Sequence, residues 1–579
     1  MTNATGHKTT YAYYSDGDLE TVTPPSPQGA TTYAYDADNR ITTVTSPTGT
    51  LTLTYDGDDR ITKLAYTGGP TISYTYDPDG NVTKRVDPTG TTTFTYDTRN
   101  ELTKESLPGD ADACSEKTGI TLGYDPAGNL TSYCDGDGTT TYHFNAANEV
   151  TSLAEPGGSC TTSPTTYCST FTYDPTGERT KTTFPGGATE TITYNAEGQE
   201  AKVVGKSSSG AVLTSYAYTY TSTTKDTGLV GSMAEDDPVQ DATTTYAYSA
   251  LGQLTSSSAA GGSTFDYSYD ADGDRCSTTT SCADPTYTYN ADTELTSSPP
   301  GSYAYNASGE ETSSPQLSTL TYDTADQTTS IKAGSTKVTL AYAEAGQFLL
   351  VKDGSTTLVN GPLGLDEAKT STTTTYFIRD PTGNVIGEKV GSTYYYFLEN
   401  DIGSVTAVIS GTGTVEDRFS YDPYGNLTKS TGSLYDPIRF AGGYYEATSG
   451  LTKFGTRYYD PKTGRWTQEN PVGGSIRDPS TLNGYDYAVD DPVSRHDPTG
   501  LSATYGMACL TGAAFGAAIS IYGADETLGP LGLAADVVGG CVTGLELTLI
   551  DTLITTTIAS EIGLAKTTAT LVSEILGDL

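Results

Sequence analysis

The sequence predicts an all-β protein: a long, continuous meander of antiparallel hairpins followed by a short, mainly helical tail. Three observations carry this prediction. A unit of the form Tyr-x-Tyr-Asp-x-x-Gly recurs about every 20 residues. Tyrosine is heavily over-represented, with 44 Tyr against 12 Phe and one Trp. The Tyr-Asp pattern then stops after Leu501, where Gly, Ala, Leu, Ile and Thr take over.

Clear copies of the unit begin at Tyr33, Tyr74, Phe94, Tyr124 (shortened), Phe171, Tyr267, Tyr287, Tyr303 and Phe419. The fullest reads Tyr74-Thr75-Tyr76-Asp77-Pro78-Asp79-Gly80-Asn81-Val82-Thr83. Side chains alternate along a strand, so aromatic-x-Tyr puts two rings on one face, and Thr, Tyr and Phe all favour the pleated conformation. Asp followed three positions later by Gly is a turn: Asp bonds nearby amides, Pro suits the second position and Gly accepts positive φ. Asn-Leu-Thr starts the return strand, and Pro-x-Gly turns join successive hairpins.

A single hairpin is marginal in water, so stability is shared along the array, and a long meander must curl or close. The tyrosine excess fits a thin wall, since the ring packs while the hydroxyl seeks a hydrogen-bond partner. The stretch from Ser207 to Asp241 keeps Tyr216-Ala217-Tyr218 but lacks the Asp-x-x-Gly turn, and reads as an irregular insertion or long loop.

A formal net charge of −40 disfavours nucleic acid or an anionic membrane as a partner of the whole chain. The eight cysteines fall into sequence neighbours, Cys114 and Cys134, Cys160 and Cys168, Cys276 and Cys282, Cys509 and Cys541, without zinc-type spacing. Local disulfides in an oxidising compartment are expected. Asp16-Gly17-Asp18 and Asp56-Gly57-Asp58-Asp59 lack the full calcium-loop pattern, so neither metal nor cofactor is predicted. Residues 1–18 contain no apolar signal region; the expected location is secreted or at the cell surface, by another route.

These motifs resemble the YD repeats of Rhs proteins, of the Tc toxin C component and of the teneurin shell, over about residues 10–500. From Tyr376 longer motifs appear: Arg379-Asp380-Pro381-Thr382-Gly383-Asn384, Asn400-Asp401-Ile402-Gly403, Arg439-Phe440-Ala441-Gly442-Gly443-Tyr444-Tyr445, Arg457-Tyr458-Tyr459-Asp460-Pro461, Gly464-Arg465-Trp466-Thr467 and Asp497-Pro498-Thr499-Gly500-Leu501. This block is similar to the Rhs repeat-associated core. The resemblance implies a hollow spiral β-cage, with a solid β-solenoid as the competing architecture, divided into a shell over 1–375, a core plug over 376–501 and a variable tail over 502–579.

It also implies single-turnover, aspartyl-type self-cleavage just after Leu501. Such chemistry needs two carboxyl groups sharing a proton, one to activate water and one to act on the carbonyl. Asp497 is the first candidate; Asp478 or Asp486 is the second, with Arg477 or Arg495 to hold a neighbouring carboxylate ionised. Many relatives carry Asp where this chain has Asn470, which puts cleavage in question. The bland alternative makes Asp497-Pro498-Thr499-Gly500 one more repeat turn, like Asp87-Pro88-Thr89-Gly90. His496 reads as a proton-transfer partner or a solvated histidine, and Trp466 as a packing anchor.

In the tail, residues 502–524 carry no charge, and the second half spaces apolar residues at helical intervals. Its only basic residue is Lys566, and no nuclease or deaminase cluster is visible. The expected function is a polymorphic-toxin carrier: the shell encloses its own tail as cargo, a cognate immunity protein is a partner, and the tail acts on membranes. The alternative is a non-enzymatic secreted or surface protein for adhesion through carbohydrate or cell-wall contact.

Overall fold

The computed structural model describes residues 1–108, 119–161, 166–223, 227–236, 238, 241–279, 281–282, 285–434, 436–474 and 479–505. The hairpin with strands Thr71–Tyr76 and Val82–Asp87 shows how the repeat is specified. Asp77 Oδ1 accepts the backbone N–H of Asp79 at 3.0 Å and of Asn81 at 2.9 Å, and Gly80 closes the turn at φ +94°. Where this Gly is missing, Asn39, Asp59 and Asn100 take positive φ instead, as short polar side chains allow.

The Thr of the return strand is the extra residue of a β-bulge. Tyr76 pairs with Val82 and Thr75 with Lys84, leaving Thr83 between them. The Thr83 hydroxyl donates to the Thr75 carbonyl at 3.1 Å. Thr62, Thr103, Thr131 and Thr151 make the same bond in their hairpins.

The second tyrosine of each unit ties its hairpin to the preceding one. Tyr76 Oη donates to the Ile61 carbonyl at 2.6 Å, Tyr55 to Ile41 at 2.7 Å, Tyr96 to Val82 at 3.0 Å and Tyr421 to Val405 at 3.1 Å. This is why Tyr outnumbers Phe: the hydroxyl is a stitch between repeats, more specific than the wetted wall inferred from composition.

The first 23 strands, from Thr10–Tyr13 to Thr264–Asp266, pair consecutively and antiparallel in one sheet. Short hairpins over 268–313 lead to a 12-stranded sheet from Leu317–Tyr322 to Leu427–Thr431. The two walls meet through Tyr133 Oη to Asp366 at 2.6 Å, Tyr142 Oη to the Arg379 carbonyl at 3.0 Å and Tyr396 Oη to Glu155 at 2.8 Å. Leu122, Phe171, Ile378 and Leu398 belong to one buried cluster that spans both walls. The result is the expected all-β spiral shell.

One expectation is corrected. The region read as a loop around 207–241 contains the long strands Val212–Ser222 and Thr227–Asp236, paired with each other and with their neighbours. Tyr216 and Tyr218 face the core there, so the strand pattern persists although the Asp turn does not. Disulfides join Cys160 to Cys168 and Cys276 to Cys282, and Cys134 is also disulfide-bonded. Of the expected helical tail 502–579, residues 506–579, with the pair Cys509 and Cys541, lie outside the described residues. No helix among the described residues is long and apolar enough to cross a membrane.

The candidate site at the Leu501–Ser502 bond

After the second sheet the chain forms a compact plug. Strands Tyr444–Glu446, Leu451–Phe454, Arg457–Asp460 and Arg465–Trp466 make a small sheet. Trp466, 1% exposed, sits among Phe454, Tyr459 and Tyr487, the packing anchor expected of it.

The Arg457 guanidinium lies 4.0 Å above the Trp466 ring and donates to the carbonyls of Gly484 (2.8 Å) and Gly500. Its Nη2 stands 3.5 Å from Asp497 Oδ2. The turn before it approaches the 497–501 segment so closely that a Cβ on Gly455 would lie 2.0 Å from the Thr499 carbonyl oxygen. Only glycine allows Thr456 N–H to reach that same carbonyl at 2.9 Å.

These contacts surround one peptide bond. Asp497 Oδ1 accepts the N–H of Leu501 at 3.0 Å, the N–H of Ser502 at 3.1 Å and the Thr499 hydroxyl at 3.1 Å. Asn470 Nδ2 donates to the Leu501 carbonyl at 2.8 Å. The Asn470 Oδ1 accepts the Val472 N–H at 3.0 Å, which fixes the orientation of the amide. The Leu501–Ser502 bond therefore has its carbonyl on Asn470 and its N–H on Asp497. The following residues Thr504–Tyr505 pair with Arg495–His496 and carry the chain away.

Burial pushes the Asp497 carboxyl up, against the pull of Arg457 beside it. Burial takes the Arg457 guanidinium down to about 10. His496 is not solvated: it is 1% exposed, and burial takes it down to about 4, so it is neutral at pH 7. A cleft of about 290 Å³, lined by Arg457, Gln468, Glu469, Asn470, Leu482 and Gly484, opens on this side of the plug. A cavity of about 180 Å³ lies toward the wall, between Lys453, Phe454 and His496 of the plug and Arg85, Glu105 and Glu344 of the shell.

Among the predicted site residues, Asp497 and Leu501 come together and Asp486 is engaged elsewhere. Arg465 Nη1 bonds Asp486 Oδ1 at 2.9 Å and Asp274 Oδ1 at 2.8 Å, and its Nη2 donates to the Thr293 carbonyl. Asp486 thus belongs to the bolt that holds the plug to the shell hairpins. Asp478 and Arg477 fall outside the described residues. Arg495 faces Asp491 at 3.9 Å, and the cation at Asp497 is Arg457. Sequence reasoning had Arg457 in its Arg-Tyr-Tyr-Asp motif without giving it a role. It also noted Asn470 as a departure without knowing that the side chain reaches Leu501.

A sequence model of the teneurin YD-shell family matches residues 1–149 and 227–493. The chain belongs to this family. The tRNA nuclease WapA of Bacillus subtilis is 28% identical over 273 residues, which is 44% of this chain and 12% of that protein. Toxin subunit YenC1 of Yersinia entomophaga is 32% identical over 111 residues, 18% of this chain and 11% of that one. The chain thus spans about an eighth of the length of such relatives. The crystal structure of TcdB2-TccC3-Cdc42 shares the fold with a TM-score of 0.69 at 17% identity, over 86% of this chain and 28% of that one.

Proposed function

We propose that this YD-shell chain is the wall and plug of a toxin carrier, with its own residues 502–579 as the cargo. The observation that carries the reading is the junction itself: the polypeptide leaves the plug through one bond whose carbonyl and N–H are both taken by plug side chains. In this reading the core block 376–501 supplies the last wall strands, through Leu427–Thr431, as well as the plug that follows them, and 502–579 is the effector. Relatives named as toxins or toxin subunits match over parts of the chain, which supports the carrier role. Such a carrier acts outside the producing cell, secreted or on its surface, and its maker needs an immunity protein against the cargo.

The uncharged stretch 502–524 makes a membrane the favoured target of the cargo. Release by aspartyl-type self-cleavage after Leu501 requires two carboxyl groups, and Asp497 is one of them. The test is to express residues 502–579 alone and, separately, the whole chain in a bacterium, and to add each to dye-loaded vesicles. The tail is expected to arrest growth and release dye while the whole chain does neither. A tail harmless in both assays contradicts the proposal.

A further inference from the structure

We propose that Lys453 is the covalent anchor of a ligand site: its side-chain amine, in the cavity between plug and wall, captures a small, largely apolar aldehyde as an imine. The site goes beyond the carrier reading and uses neither of the side chains that bond the Leu501–Ser502 peptide.

Lys453 is the third residue of the plug strand Leu451–Phe454, set between Tyr444 and Tyr458 of the neighbouring strands. It is 7% exposed, and a lysine so far from water is uncommon. Its Nζ donates to the backbone carbonyls of Phe348, at 3.3 Å, and of Gly455. Both of these residues line the cavity of about 180 Å³ together with Lys453 itself. Two such bonds use the two N–H groups of a neutral amine and leave its lone pair for a ligand. Burial favours that neutral form, taking the group down to about 7, so at neutral pH a large share of the chains carries a nucleophile there.

The cavity suits an uncharged ligand. Leu350, Leu358, Ile402, Ile438 and Phe454 supply an apolar lining. An apolar cavity of about 150 Å³ takes a molecule the size of benzene, so this one has room for a carbonyl compound of about eight heavy atoms. The cations around it are engaged: Arg85 binds Asp87 and Glu344, and Arg379 donates to the carbonyls of Leu365 and Gly383. Burial lifts Glu105 to about 7 and Glu399 well above the usual carboxyl range, and it keeps His496 neutral. In the reaction Nζ adds to the carbonyl carbon, a C=N bond replaces the C=O bond, and the oxygen leaves as water with the two amine hydrogens. The neutral imine forms without oxidant, reductant or net proton uptake.

The experiment incubates the full-length chain at pH 7 with benzaldehyde and cyanoborohydride, which reduces an imine to a stable amine, and locates the labelled lysines by peptide mass mapping. Lys453 is expected to label about 10²–10³-fold faster than the exposed Lys63 and Lys84, the scale set by the neutral share at pH 7 of a group at about 7 against an ordinary lysine. Its rate should saturate with benzaldehyde concentration, as a bound ligand requires. The larger 1-pyrenecarboxaldehyde, which exceeds the cavity, should leave it unlabelled. Labelling of Lys453 no faster than of Lys63 and Lys84 overturns the proposal, and so does equal labelling by the two aldehydes, the behaviour of a surface lysine. Without reductant, benzaldehyde should raise the Tm of the wild type more than that of K453M, and equal shifts overturn the covalent anchor. The labelling rates decide the matter whether or not K453M folds.

Discussion

Asp77 in the wall and Asp497 in the plug open the same turn, Asp-Pro-x-Gly, in different surroundings. In the wall the carboxylate is half-buried, accepts the amides two and four residues ahead, and takes its last bond from the Asn81 side chain within its own repeat. In the plug it is 3% exposed and accepts the amides four and five residues ahead, while Arg457 from another strand stands at its second oxygen. The residue in the position of Asn81 is Leu501, whose side chain has no donor to offer beside its backbone N–H. The motif specifies the turn; the neighbours decide whether it carries only the wall or also a junction.

That contrast implies different responses to substitution. The largest effect is expected at the bolt between the two regions. Arg465→Met leaves Asp274 and Asp486 buried without their shared cation, a loss of about 3–5 kcal/mol for a broken buried pair. Thermal unfolding should show it as a marked fall in Tm, and an unchanged Tm would mean the bolt does not hold the plug.

The walls should respond to pH in two opposed ways. Burial lifts Glu155 to about 8 and Glu105, Glu190 and Asp401 to about 7. The folded chain thus binds these protons more tightly than the unfolded chain. The stability they contribute is complete below about pH 4 and lost as pH rises through the lifted values. The turn aspartates behave oppositely: hydrogen bonds from Arg40 and Arg60 hold Asp36 and Asp56 below the usual range, and their contribution is lost as pH falls through those depressed values. Melts across pH should therefore give a higher Tm at pH 5 than at pH 9, while below pH 4 the loss from the turn aspartates opposes the full contribution of the lifted carboxyls.

A single stitch is the smallest effect. Tyr76→Phe removes the bond to the Ile61 carbonyl and should cost about 1 kcal/mol by denaturant titration, because the repeats on either side keep theirs. A cost several times larger would mean that the wall unfolds around one lost stitch, against the shared stability expected of a repeat array.

The same contrast explains what could be read from the sequence. Turn, bulge and strand of one repeat are encoded within about ten residues, as Tyr74 to Thr83 shows, so fold class and hairpins were legible. The stitch was half legible: the tyrosine excess announced a hydroxyl with work to do, but its partner lies in the preceding hairpin. The region 212–236 was misjudged because the Asp turn was taken as the mark of the hairpin, whereas backbone pairing and the buried Tyr216 and Tyr218 sustain the strands. The junction was legible only as candidates. Arg457 reaches Asp497 across 40 positions and Asn470 reaches Leu501 across 31, distances over which sequence spacing says nothing. Asp486 had suitable chemistry, yet Arg465 binds it at the shell contact.

The most direct test of the claim that Asp497 holds the junction is amide hydrogen exchange in the full chain, comparing D497A with D77A. The Leu501 and Ser502 amides are expected to exchange about tenfold faster or more in D497A, the worth of a hydrogen bond to a charged group, and at the wild-type rate in D77A. Unchanged exchange at 501 and 502 in a folded D497A chain would contradict the account and return Asp497-Pro498-Thr499-Gly500 to the status of an ordinary wall turn.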